Sequence, residues 1–292
     1  MFSLPHLAII SGMIAIMTDF GLNDTYVGVM KGVIAGICPD TPCVDLTHNI
    51  PRQQVQQGAF ALRNAYAYFP AGTVFLAVVD PGVGSTRRPI AVHAGGYTFV
   101  APDNGLLTYV LAQHEGYQAV ILENPAYRLG TVSNTFHGRD IFAPAAAHLA
   151  CGVPLAEMGR AITDLVQLPR PLLDVHEDQI TGEVIDIDTF GNVTTSIGQW
   201  VWASERLGFK AVFGPALTRE FEAQAIRATF GAHTLAGVQP NYSVVQAGAP
   251  LLLIGSSGFL EIGVNQGSAA EMFGLKIGDR VSIGADNAAV RD

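Results

Sequence analysis

Apolar and polar positions alternate along the chain in two different textures. From Met13 to about Cys151, short β-rich runs are separated by stretches with helical spacing. The runs MIAIM (13–17), PCVDL (42–46), TVFLAVV (73–79), PIAVHA (89–94), YTFVA (97–101) and QAVIL (118–122) read as strands. Helices are expected near Tyr26 to Ile37, Gln53 to Tyr68, Leu106 to His114 and Ile141 to Ala150. Strands and helices in alternation predict an α/β fold with a mostly parallel sheet covered on both faces, a Rossmann-like layered domain. Around Pro169 to Asp178 the segment LPRPLLDVHED breaks the pattern. Beyond it lie GEVIDID, NVTTSI, KAVF, YSVVQ, PLLLIG, GFLEIGV and RVSIG, short strands parted by turns, with one short helix in SAAEMFGL. That texture predicts a smaller antiparallel β-barrel. The expected domains are 13–172 and 178–292.

Composition narrows the class. A chain of 292 residues that is 49% hydrophobic and 14% charged buries a real core in one or two domains, and its 32 glycines and 16 prolines show no repeat. The formal charge of −9, most of it in the second part, and the lack of any Lys/Arg cluster exclude a basic footprint for nucleic acid or an anionic membrane surface. Three cysteines, Cys38, Cys43 and Cys151, without a CxxC pair, suggest neither a disulfide framework nor a thiolate metal site, and fit a reducing, cytoplasmic setting. The apolar start through Met17 lacks a basic leader and carries Pro5, His6 and Gly12, so it reads as a loose extension before the first strand, not a signal peptide or anchor.

Chemistry gathers at strand ends, where parallel sheets bind ligands. Asp19 follows the first strand, Asp45 and His48 close the second, Asp80 follows TVFLAVV and Asp103 follows YTFVA. Singly each suits a turn or helix cap; four at equivalent ends suggest a site. In VVDPGVGSTRRPI the glycines and proline shape a tight loop that holds Arg87 seven residues from Asp80. NTFHGRD compresses His137, Arg139 and Asp140 before an alanine-rich helix. Asp140 suits an N-cap there, and a helix N-terminus beside His137 keeps the imidazole neutral. In the second part, IDIDTFGN offers Asp188, a ring at Phe190 and the amide of Asn192, while GSSGFLEIGVNQGSA carries Ser256, Ser257, Glu261 and Asn265. From residue types alone, Asp45, His48, Asp80, Asp103, His137 and Asp140 also leave open a metal-dependent hydrolase, although none forms an HxH, HExxH or DxD pattern.

The ordered strings TDFGLNDTYVGVMKG, VDLTH, FPAGTVFLAVVDPGVGSTRRPI, APDNGLL, NTFHGRDIFAPAAA, DTFGN and SSGFLEIGVNQGSA resemble the S-adenosyl-L-methionine (SAM) hydroxide adenosyltransferase family, over nearly the whole chain after Met13. These adenosine-forming SAM hydrolases are related to fluorinases and chlorinases. The resemblance implies a homotrimer with each active site between the first domain of one subunit and the second of its neighbour. It implies that Asp80, Arg87 and His137 position a water or hydroxide. Asp19 would accept the ribose hydroxyls; Asp188, Phe190 and Asn192 would face the methionine portion; Ser257, Glu261 and Asn265 would lie near the purine. No cofactor or metal is implied beyond SAM as substrate. Halide transfer, or SAM binding without turnover, remain as alternatives.

Overall fold

The computed structural model describes residues 12–176, 179–214, 216–285 and 290–291. The initial extension therefore lies outside the described residues up to its last position. The described chain forms two compact units, one ending at Leu168 and the other starting at Pro169. Among the described residues no helix is long and apolar enough to cross a membrane.

In chain order the first unit holds β1 (Ile14–Thr18), α1 (Tyr26–Ile37), β2 (Cys43–Thr47), α2 (Val55–Ala65), β3 (Val74–Val78), β4 (Pro89–Ala94), β5 (Tyr97–Pro102), α3 (Thr108–Leu111), β6 (Gln118–Ile121), α4 (Ala143–Ala150) and β7 (Ala161–Ile162). The seven strands make one sheet in the order β2-β1-β3-β5-β4-β6-β7. The pairs β1/β2, β1/β3 and β3/β5 are parallel, and β4/β5, β4/β6 and β6/β7 are antiparallel. The mostly parallel sheet expected from alternation is thus corrected to a parallel half and an antiparallel wing. The cause is local: Gly95 and Gly96, both at positive φ, turn β4 directly into β5, and a hairpin can only pair antiparallel.

Strand alternation sorts the core onto two faces. Ile14, Ile16, Val74, Leu76 and Val78 pack with Met30 and Ile34 of α1 and with Ala143, Ala145, Ala146 and Ala147 of α4. On the other face Phe75 and Phe99 stack with centroids 5.3 Å apart, and Tyr66, just past α2, meets Phe99 edge-on. The expected helix over Ile141 to Ala150 is preceded by a π-helical turn, Gly138–Phe142, so the chain enters α4 already wound. The expected Leu106 to His114 helix shrinks to the single turn α3. Thr108 turns its hydroxyl onto the Gly105 carbonyl and accepts from Leu168 N instead of supporting a longer helix.

The second unit holds β8 (Leu173–His176), β9 (Gln179–Ile187), β10 (Val193–Gly198), β11 (Trp200–Ala203), β12 (Arg206–Lys210), β13 (Thr218–Glu222), β14 (Arg227–Phe230), β15 (His233–Ala236), β16 (Val238–Gln239), β17 (Pro250–Ile254), β18 (Phe259–Val264), α5 (Ala269–Phe273), β19 (Arg280–Gly284) and β20 (Val290–Arg291). Nine strands form a nearly closed, barrel-like sheet, β15-β14-β19-β9-β10-β18-β17-β16 with β8 on β9, and β11-β12-β13-β20 form a second. All pairs are antiparallel except β16/β17. Two sequence expectations fail here. YSVVQ is no strand: Asn241 caps a 3-10 turn, Tyr242–Val244, by accepting from Ser243 N. KAVF contributes only Lys210, because the strand lies earlier, in register with β11.

Cys38 and Cys151 form a disulfide, Cα–Cα 6.0 Å, which corrects the expectation that the three cysteines suggest no disulfide. They are 113 residues apart but sit at the C-terminal ends of α1 and α4, two helices packed on one face of the sheet. Cys43 stays free, and burial pushes its thiol up. A cross-link closing so long a loop contributes about 2–4 kcal/mol, chiefly by restricting the unfolded chain. Cys38→Ser, or reduction of the native protein, is expected to lower unfolding stability by that order in denaturant titration; a midpoint unmoved by reductant would show that the bond does not form.

Candidate active site

In the first unit the sequence-predicted groups converge. Thr18 at the end of β1 pairs with Val78 at the end of β3, so Asp19 and Asp80 emerge from neighbouring parallel strands at the same edge. Asp80 then enters the PGVGS loop. Gly84, at φ +76°, lies so close to residue 134 that a Cβ would stand 2.3 Å from the Asn134 carbonyl oxygen. Only glycine permits that approach, and it brings the arginine-bearing loop against the TFHGRD segment.

The result is a three-membered cluster. Arg87 Nε donates to both Asp80 carboxylate oxygens at 3.0 Å, and Nη2 to Oδ2 at 2.5 Å. The same Nη2 lies 2.7 Å from His137 Nδ1. The guanidinium has no acceptor to offer, so Nδ1 must accept and the ring proton resides on Nε2. Burial, then the Arg87 charge, lowers the His137 pKa, which holds the imidazole neutral. The causes differ from the helix-end effect expected from sequence. The Arg87 and Asp80 side chains are 9% and 5% exposed, so this ion pair is screened little by solvent. Phe142 lies under the guanidinium at 5.1 Å.

Asp80 and His137 open onto a cavity of about 120 Å³, walled by Phe20, Tyr26 and Phe136. The three rings touch one another, with centroids 4.9–6.0 Å apart. Gly138 packs tightly there too, since a Cβ would press on the Phe136 ring at 3.0 Å. This cavity, apolar-walled but carrying one carboxylate and one neutral imidazole, has room for a few waters at about 30 Å³ each, with polar partners on one side only. Asp19 is half-buried and accepts from Gln53 N at 2.8 Å.

The other acidic candidates have structural partners. Asp103 is gripped by Arg88 Nε at 2.7 Å and Val166 N at 2.9 Å. Asp140 is not the N-cap read from sequence. It is fully buried and accepts from Ser133 N, Ser133 Oγ and Arg139 Nε. Burial works to raise its pKa, but the Arg139 and Ser133 hydrogen bonds prevail and hold it low. With each such bond to a charged group contributing about 1.5–3 kcal/mol, freeing these carboxylates for a ligand would be costly. Among the described residues no group of three His, Cys, Asp or Glu is placed to hold a metal ion.

The second unit carries a cavity of about 600 Å³ lined by Asp188, Phe190, Asn192, Glu261 and Asn265 among others. Ser256, not Ser257, is the serine in its wall. The DTFGN turn is built by its own aspartate: Asp188 Oδ1 accepts from the N–H groups of Phe190 and Asn192, and Oδ2 from Asn192 Nδ2, all at 2.9 Å. Gly191, at φ +81°, packs on Ser268, the N-cap of α5. Phe190 is left 74% exposed beside the cavity, an apolar ring without cover in the single chain. Asn265 Nδ2 donates to Val245 O at 2.8 Å, fastening the loop before β17.

Sequence reasoning missed Tyr242, which donates its hydroxyl to Glu261 in the same cavity. Burial raises the Glu261 pKa, and the Asp188 charge adds to it against the Tyr242 bond; burial and that bond raise Tyr242 as well. The NYS string signals only an Asn-capped turn, and nothing local ties it to Glu261 nineteen residues on.

Residues 14–159 match the SAM hydroxide adenosyltransferase N-terminal domain, and residues 182–282 its C-terminal domain. The chain is 41% identical over 275 residues to a Salinispora tropica protein named (R)-S-adenosyl-L-methionine hydrolase, covering 93% of this chain and 97% of that one. A Thermus thermophilus protein of the same name is 41% identical over 271 residues, covering 90% and 95%. A fluorinase from Actinopolyspora mzabensis is 30% identical over 302 residues, covering 93% and 96%. Among solved structures, an uncharacterized conserved protein from Thermotoga maritima superposes with a TM-score of 0.82 at 36% identity, covering 93% of this chain and all of that one. With both domain models matched in order and full-length relatives on either side of the hydrolase–halogenase divide, the chain belongs to the SAM hydroxide adenosyltransferase family.

Proposed function

We propose that this protein hydrolyses S-adenosyl-L-methionine to adenosine and L-methionine, by in-line attack of an activated water at C5′. The carrying observation is Arg87 shared between Asp80 and a neutral His137 at the wall of a cavity of about 120 Å³. The hydrolase names of the 41%-identical relatives support the substrate, and they make the R sulfonium epimer the first to try.

The sulfonium leaves as a neutral thioether, so departure needs no proton. What the protein must supply is an oxygen nucleophile aligned with the C5′–S bond and a site for its proton. His137 is held by Arg87 at Nδ1 and by a hydrogen bond to the Ser133 backbone, so its ring is fixed as part of the wall against which the water is placed. The ring can take a second proton only by giving up the Arg87 bond. Asp80 Oδ1 accepts from Arg87 Nε alone and keeps a lone pair, so this carboxylate is the proton acceptor. Arg87 fixes both partners and stabilises the developing hydroxide character. Positioning Asp19 on the ribose, with Asp188, Phe190, Asn192, Glu261 and Asn265 on the rest of the substrate, completes the proposal. In it two half-sites complete each other in a homotrimer, with no cofactor or metal. It also carries the cytoplasmic setting read from the sequence, against which the Cys38–Cys151 bond weighs.

Three outcomes test this reading. Chelator-treated protein incubated with either SAM epimer should give equal amounts of adenosine and methionine by chromatography, and no 5′-halonucleoside with chloride or fluoride; no adenosine from either epimer would overturn it. Asp80→Asn or His137→Ala should lower kcat about 10²- to 10⁴-fold while leaving KM close to the parent value; parallel losses in both would reduce these residues to binding. Because the His137 pKa is lowered, the ring stays neutral as pH falls through the ordinary histidine value of about 6.5. The acid limb of kcat/KM should lie below that value, and a limb centred above it would contradict the assignment.

A further inference from the structure

The VDLTH string is not used by the mechanism above, yet its side chains form a continuous polar chain that ends on the substrate-facing turn. Lys31 Nζ donates to Asp45 Oδ2 at 2.7 Å, and Asp45 Oδ1 lies 3.0 Å from His48 Nε2. His48 Nδ1 lies 2.9 Å from Thr18 Oγ1, which also accepts from Phe20 N at 3.2 Å. Direction follows from donor inventory. A carboxylate only accepts, so His48 Nε2 carries the proton. Nδ1 shares the next hydrogen bond with the Thr18 hydroxyl, whose oxygen also takes the Phe20 N–H. Burial and the Lys31 and His48 hydrogen bonds act on Asp45 in opposite senses, and the bonds win, keeping it ionised.

The order hydroxyl, imidazole, carboxylate is that of a nucleophilic triad. Thr18 is 0% exposed and His48 3%, however, and no substrate atom could reach that hydroxyl. The output of the chain is therefore mechanical. The loop after β2 grips the end of β1 at two further points: Gly21 N donates to His48 O at 2.8 Å, and Gln53 N, from a residue held at φ +65°, donates to Asp19 Oδ2 at 2.8 Å. Asp19 and Phe20 lie between these anchors.

We infer that Lys31, Asp45, His48 and Thr18 form a positioning relay that fixes the Thr18–Gly21 turn, aiming the Asp19 carboxylate at the ribose and Phe20 at the cavity wall. The inference rests on Asp19 binding the ribose hydroxyls, and its test separates the two claims. Calorimetric titration with adenosine and with 2′,3′-dideoxyadenosine reads that contact directly, without turnover. The wild-type protein should prefer adenosine by on the order of a hundredfold, two hydrogen bonds to a charged acceptor. Thr18→Val, which keeps the shape but removes the hydroxyl, should cut that preference at least tenfold, with KM for SAM rising more than kcat falls. Thr18→Ser should restore it. A preference unchanged in Thr18→Val, or lost equally in Thr18→Ser, would overturn the relay while leaving the ribose contact standing. A wild-type preference near one would overturn both. Should Thr18→Val fail to fold, Asp45→Asn at the half-exposed end reads the same ratio, with a fall of threefold or more expected and no change contradicting the relay.

Discussion

One guanidinium organises the catalytic half of this molecule. Arg87 binds the Asp80 carboxylate and the His137 imidazole through the same terminal nitrogen, and each of the three depends on the other two. Without Arg87 a carboxylate only 5% exposed would lose its counter-charge. Without Asp80 an almost buried cation would stand beside the imidazole. Without His137 a guanidinium donor would lose its acceptor. The glycine at position 84 makes this possible by letting two distant loops touch backbone to backbone. The fold then serves the cluster: parallel strands β1 and β3 deliver Asp19 and Asp80 at one edge, and the π turn before α4 delivers His137.

Much of this could be read from the chain, but unevenly. Buried parallel strands such as VFLAV have no polar face, so their apolar runs mark them even without alternation. Asp80 and Arg87 were legible because seven residues of tight loop connect them. His137 stood out through its neighbours, but its link to Arg87, fifty residues back, is a product of folding. The same limit hid the Cys38–Cys151 bond and the Tyr242–Glu261 pair, whose members carry no local motif. In YSVVQ a β-prone string lost to a capped turn, since Asn241 satisfies the Ser243 N–H that a strand would have left to a partner.

The acidic residues teach a related lesson. Asp19, Asp45, Asp80, Asp103 and Asp140 look alike along the sequence, and the structure divides them by what already occupies their oxygens. Asp103 and Asp140 are held by arginines and backbone N–H groups, and their role is to fix segments 164–166 and 133–140. Asp45 works through His48 on the β1 turn. Asp80 keeps a lone pair facing a cavity, and among the described residues Asp19 accepts from Gln53 N alone. Electrostatic occupancy, not residue type, separates the chemistry from the scaffold.

The central claim is that the cluster aims a water at the sugar carbon, so the sharpest measurement follows that oxygen. Turnover of SAM in water labelled with heavy oxygen, with products resolved by mass spectrometry, should place the label in the 5′-hydroxyl of adenosine and none in methionine. Label absent from adenosine, or present in the methionine carboxylate, would mean that the bond is broken by another route and that Asp80, Arg87 and His137 do not do what is claimed for them.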